Sequence, residues 1–259
     1  MKSFFRKYGY KLIAWLVFAL SILYFYRHFS EVGTWFDVKS ILISLDYASI
    51  CILIGVFMMF FVNWGIEALK WQWVNKPFEK ISFTLSLKSV FMGVAVSTIF
   101  PNRTGEFLGK ILVLKKENRV KGIFSSILTS LSQLSITLLV GLWALFIMRS
   151  NVHISETYVF ILTLATIAIL LFFKSIIRFL KKYIPAKWIS FIDFIRFYSI
   201  KDIFVVLLLS AIRYGVFTMQ LFLLIVVFGG QISFVDFFPL SAIAFTLTTA
   251  IPTTSLSEL

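Results

Sequence analysis

Stretches of apolar sequence too long for any soluble core dominate this chain of 259 residues. Runs of spanning length lie at about 10–27, 47–70, 123–148, 157–178 and 203–228, and shorter or interrupted runs at about 83–101 and 237–251. A bilayer core about 30 Å thick needs about 20 apolar helical residues to cross it, and a backbone in lipid must satisfy its own polar groups. Apolar residues make up 59% of the chain and charged residues 14%, against about 45–50% and about 25% in soluble domains. The sequence therefore predicts an all-α polytopic membrane protein, a single transmembrane domain over 1–259. Lys2, Arg6, Lys7 and Lys11 precede the first run in the manner of a signal peptide. No small-residue cleavage site follows it, so it reads as a retained first helix. Cys51, the single cysteine, cannot form an intrachain disulfide and reads as a small core residue.

Two of the runs end in the same kind of polar sequence. One is Ser97-Thr98-Ile99-Phe100-Pro101-Asn102-Arg103-Thr104-Gly105-Glu106, and the other is Thr248-Thr249-Ala250-Ile251-Pro252-Thr253-Thr254-Ser255-Leu256-Ser257-Glu258. A proline, a small-residue break and a carboxylate are costly in lipid unless protein or a wet cavity surrounds them. Pro101, Gly105 and Pro252 are thus expected to break two helices that meet at one site.

The basic residues set the threading, because Lys and Arg concentrate in cytoplasmic connections. Residues 70–88 carry Lys70, Lys76, Lys80 and Lys88, and 102–122 carry Arg103, Lys110, Lys115, Lys116, Arg119 and Lys121. Both read as inside. A plain span over 83–101 would separate them, whereas a re-entrant hairpin entering and leaving on one face keeps them together. With the hairpin, all Lys and Arg except Arg27, Lys39, Arg149 and Arg213 fall on the cytoplasmic side, as does the N-terminus. The last run then enters from the opposite face. The expectation is about five spanning helices plus two re-entrant or broken ones, in the pattern of an inverted-topology repeat with its site near the midplane. The chain ends in Ser257-Glu258-Leu259 within this second motif, so the natural protein is expected to continue by at least one or two helices.

Arg103 and Glu106 lie three apart in the hairpin, with Lys110 one turn beyond Glu106. A guanidinium fork suits phosphate oxygens, and Asn102 and Thr104 add neutral contacts. The same Arg–Glu pair also fits a simple tie of the hairpin to itself. Arg213 lies deep in its span and needs a carboxylate or a wet cavity. Glu106 and Glu258 are the natural partners by sequence, and Glu67, near the cytoplasmic end of its helix, is the less favoured candidate. Ser126, Ser130, Gln133 and Thr137 share one helical face, and Gln220 shares a face with Arg213. Such faces fit either a cavity wall or close helix packing. His28 and His153, the only histidines, sit in short connections, so no metal site and no cofactor is expected. A net charge of +13 held in membrane-flanking loops favours anionic inner-leaflet lipid over nucleic acid.

At Pro101-Asn102-Arg103-Thr104-Gly105-Glu106, followed by a later Pro…Glu motif, the chain resembles the lysylphosphatidylglycerol synthase transmembrane-region family. These are flippase-like membrane domains found alone or fused to an aminoacyl-transferase. Family members usually carry a glycine-rich second motif, where this chain has Thr253-Thr254-Ser255-Leu256-Ser257. The resemblance implies a bacterial cytoplasmic-membrane protein that translocates lipid and does not aminoacylate it. On that reading Asn102, Arg103, Thr104, Glu106, Lys110, Arg213 and Glu258 contact a phospholipid or lipid-linked anion. One alternative is a membrane-embedded enzyme on a polyprenyl-phosphate or lipid substrate, with Glu106 as general base. Another is an accessory subunit that holds a glycosyltransferase or lipid synthase.

Overall fold

A computed structural model describes residues 45–97, 105–148 and 197–250, together with 157, 158, 160–166, 168 and 194. The described elements are all helical. They are α1 (Tyr47–Asn75), α2 (Phe83–Ser97), α3 (Gly105–Ile111), a 3-10 turn (Lys116–Asn118), α4 (Arg119–Ile147), α5 (Ile200–Val227) and α6 (Phe234–Ala250). Among the described residues, three helices are long and apolar enough to cross a membrane: α1, α4 with its preceding turn, and α5. Helical residues between 157 and 168 belong to the expected run at 157–178. The expected first helix at 10–27 lies outside the described residues. The chain divides into two compact units, Met1–Ile52 and Leu53–Leu259, and the second holds most of α1 and all of α2 to α6.

Local chemistry sets the helix ends. Asn75 closes α1 by donating its amide to the Trp71 carbonyl at 2.7 Å, just before Pro77, which disfavours helix in the residue preceding it. Ser199 and Asp202 form a capping box at the start of α5, which satisfies two of the amides that every helix start leaves open. Ser233 accepts from the Asp236 amide at 3.2 Å in the same way at the start of α6. Gly229, at φ +86°, makes the turn after α5, a conformation that other residues rarely adopt.

The polarity of the bundle is inverted relative to a soluble protein. Large apolar side chains such as Phe57, Phe61, Phe204 and Phe217 point outward, while Ser86, Ser89, Ser125, Ser126, Thr129 and Ser210 are buried. Small residues let helices approach closely without a hydrophobic drive between them, and several hydroxyls return a hydrogen bond to their own helix, as Ser132 does to the Leu128 carbonyl at 2.8 Å. Cys51, expected in the core, is instead exposed.

α1 runs antiparallel to α5. Val74, Lys70, Asn63 and Val56 meet Tyr198, Ser210, Arg213 and Gln220 in that order. α4 runs antiparallel to α1, with Asn75 near Ser125 and Lys70 near Gln133. α6 descends beside α5 and α4, pairing Phe234 with Phe222, Phe245 with Tyr214, and Thr246 with Thr137.

α2 and α3 form an antiparallel hairpin. Ser89 donates to the Lys110 carbonyl at 2.5 Å, and Gly93 lies against Glu106 and Gly109. Over their described residues neither arm is long enough to cross a bilayer, since 15 residues rise only ~22 Å and seven only ~10 Å. The hairpin brings both of its ends to the same end of the bundle. Glu79 accepts from the Lys115 amide at 3.2 Å and from Asn118 at 2.8 Å, and Tyr198 donates to the Val74 carbonyl at 2.7 Å. The connections at 76–82 and 112–118 and the residues before α5 therefore converge, as the charge pattern requires of a hairpin and forbids for a plain span. Phe78, Phe194 and Tyr198 pack there as an aromatic floor, with Phe78 and Phe194 centroids 5.3 Å apart and Phe194 and Tyr198 5.4 Å apart.

The tightest approach in the hairpin is Gly109, whose added Cβ would fall on the Met92 carbonyl oxygen and the Gly93 backbone. Gly109→Ala is expected to destabilise the protein by about 1–3 kcal/mol, seen as earlier thermal unfolding in detergent. Gly215→Ala, with no atom within 4 Å of the new methyl, should leave the transition in place or raise it slightly.

Candidate functional site

Five ionisable side chains from three elements converge between α1, α3 and α5, and Glu67 is their centre. It sits eight residues before the end of α1, ~12 Å into the bundle, and is 4% exposed. Its Oε1 accepts a hydrogen bond from Lys110 Nζ at 2.9 Å. Its Oε2 makes ion pairs with Lys70 Nζ at 2.9 Å and Arg213 at 3.4 Å, neither a well-directed hydrogen bond. Lys110 is shared with Glu106, 2.5 Å away and one helical turn back. Burying an ion is costly unless partners compensate it, and here each charge has at least one opposite charge in contact.

Neutral groups complete the surroundings. Lys70 donates to Gln133 Oε1 at 3.3 Å and Ser210 Oγ at 3.2 Å. Arg213 donates through Nε to Asn63 Oδ1 at 2.9 Å and lies over the Trp64 ring at 5.7 Å. Lys110 lies 5.8 Å from the Trp71 ring centre. Asn63 in turn donates to Gln220 Oε1 at 3.3 Å, and Gln220 donates to the Val56 carbonyl at 3.1 Å.

Exposure divides the cluster. The side chains of Glu67, Lys70 and Lys110 are sealed, whereas Glu106 is 29% and Arg213 24% exposed. Arg213 and Glu106 are thus the described members of the cluster that can be reached from outside it. The described members carry three cations against two carboxylates, an excess of positive charge suited to a negative guest.

Of the residues singled out by sequence, the structure brings together Glu106, Lys110, Arg213, Gln133 and Gln220. Gly105 opens α3, so Glu106 stands in its first turn, where the helix dipole favours a carboxylate. Pro101, Asn102, Arg103, Thr104, Pro252 and Glu258 lie outside the described residues. Ser126 is buried, with no described hydrogen-bond partner for its hydroxyl, and Ser130 is half-buried. The Thr137 hydroxyl bonds the Gln133 carbonyl at 3.1 Å, while its carbonyl accepts from Thr246 at 3.3 Å. Much of that α4 face is therefore occupied by packing against α1, α5 and α6.

The structure corrects two expectations. Among the described residues Glu67, not Glu106, pairs with Arg213. Lys70 is a buried member of α1 and not a loop charge. Both errors have one cause: the apolar run that seems to end at Lys70 in fact continues as helix to Asn75, which carries Glu67 inward. The spacing holds a signal that finds them. Val56, Asn63, Glu67, Lys70 and Val74 recur at intervals of seven, four, three and four, one face of a helix.

The sequence model of one protein family, described as Lysylphosphatidylglycerol synthase TM region, matches residues 12–255. No curated protein and no solved structure matches the chain.

Glu67→Gln leaves two buried cations, Lys70 and Lys110, and the half-buried Arg213 with Glu106 as their described counter-charge. It is expected to cost about 3–5 kcal/mol, measured by thermal or denaturant unfolding in detergent. Adding Lys70→Met should recover part of that loss, because the cation made redundant is removed with its partner. Equal or greater instability of the double variant would show that Lys70 is held by something other than charge.

Proposed function

The chain belongs to the lysylphosphatidylglycerol synthase transmembrane-region family, which makes it a membrane protein tied to lipid metabolism or transport, and on that premise we propose that it moves a phospholipid or lipid-linked anion between leaflets. The observation that carries this reading is the buried cluster around Glu67, open at Arg213 and Glu106. Ionisable groups so deep in a helical bundle are expensive and mark a substrate or ion pathway by default. Arg213 and Lys110, with Arg103 from the hairpin motif, bind the head-group phosphate. Glu106 and Glu67 balance the cations when the site is empty. Asn102, Thr104 and Glu258, which belong to the two proline-containing motifs, are proposed as further contacts to the same head group.

The protein is proposed to lie in the bacterial cytoplasmic membrane with its N-terminus inside. The convergence of the basic connections at one end of the bundle supports that orientation, because the cytoplasmic face collects Lys and Arg. A glycosyltransferase or lipid synthase that supplies or consumes the lipid is a fitting partner.

The test is leaflet exchange of labelled anionic and zwitterionic lipids in proteoliposomes. Exchange of the anionic lipid should exceed that of empty vesicles. Arg103→Ala, Arg213→Ala or Glu106→Gln should lower it about 10- to 100-fold, the rate equivalent of one charge-assisted contact of about 1.5–3 kcal/mol. Exchange no faster than in empty vesicles, for every lipid, would sink the translocase reading.

A further inference from the structure

The charged cluster does not end at Arg213. A ladder of neutral amides leads from it toward the other end of the bundle: Arg213 to Asn63, Asn63 to Gln220, and Gln220 to the Val56 carbonyl. All of these groups lie in the seam between α1 and α5. Along α1 the polar path runs from Lys70 to Val56, ~21 Å at ~1.5 Å per residue, which is most of the ~30 Å hydrocarbon thickness. Its ends differ in kind. The portion nearer the basic connections is charged and sealed, and the portion beyond Arg213 is uncharged.

We propose that this α1–α5 seam is the route by which a phosphate-bearing head group leaves the charged cluster, with Asn63 and Gln220 as its stepping contacts. The proposal rests on the translocase reading. A site that binds by ion pairs alone would hold its guest; passage requires contacts strong enough to replace water yet weak enough to release. Side-chain amides meet that need, since each offers donors to phosphate oxygens and an acceptor to hydroxyl or ammonium groups. Two features favour a path over simple helix glue. The ladder joins the cluster at Arg213, one of its two open members. In addition, its terminal acceptor, the Val56 carbonyl, is a main-chain group that serves its own helix as well, so the Gln220 contact can be exchanged for one to a passing guest.

The seam must then admit water, which can be measured apart from transport. In a Cys51→Ser background, single cysteines are placed by Gln220→Cys, by Asn63→Cys and, as a lipid-facing control, by Ile212→Cys, whose native side chain is 47% exposed. Each protein is reconstituted and treated with a charged thiol reagent, which reacts with thiolate and so requires water at the sulfur. The expected result is labelling at 220 and 63 at least tenfold faster than at 212, slowed by an anionic lipid that the protein exchanges. Gel filtration identifies any variant that fails to fold, and the other seam position then decides. Seam cysteines as inert as the one at 212 in a protein that still exchanges lipid would overturn the seam while leaving the translocase standing. Fast labelling in a protein whose native chain exchanges no lipid would overturn both the route and the reading on which it rests, and leave a water-filled seam of another use.

Discussion

A buried carboxylate shared by three cations organises the described part of this molecule. Glu67 contacts side chains of its own helix, of the hairpin and of α5 at once. In a low-dielectric surrounding an uncompensated charge is among the costliest features a fold can carry, so these elements are held in register by a condition that few other arrangements satisfy. The amide and hydroxyl groups around the cluster fill the hydrogen-bonding capacity that ion pairs leave over.

Packing supplies what charge does not. Lipid offers apolar side chains much the same environment as protein, so close backbone approach and hydroxyl contacts must draw the helices together. Gly93 against Gly109, Gly141 against Thr246, and Ser89 against the Lys110 carbonyl do this in the hairpin and between α4 and α6. The outward Phe and Ile side chains are spared from the core and left exposed on the helix surfaces.

The class of fold is plain from hydropathy, because length and polarity in lipid allow little besides helices. The hairpin is legible from charge, since Lys110, Lys115 and Lys121 have to share a side with Lys76 and Lys80. The pairing inside the site is not legible in the same way. A lysine at the edge of an apolar run looks like a boundary, and Lys70 has that look. Its burial depends on Glu67, Gln133 and Ser210, which are three, 63 and 140 residues away. Arg213 likewise reads as a lone charge until α1 is laid antiparallel beside it. Periodicity shows which residues share a face of one helix; it is silent on what another helix brings to that face.

The shortness of α2 and α3 bears on how the chain enters the membrane during synthesis. Length and apolarity mark a segment for insertion, and over its described residues each arm is shorter than the about 20 apolar residues a spanning helix needs. The described passage from α1 to α4 begins and ends at one end of the bundle, where Glu79 meets Lys115 and Asn118. Lys110 travels with Glu106 on its own short helix, but the sealed acid that meets it inside the bundle is Glu67. Lys110 thus gains its second carboxylate only where α3 lies against α1, which ties the seating of the short arm to the long span.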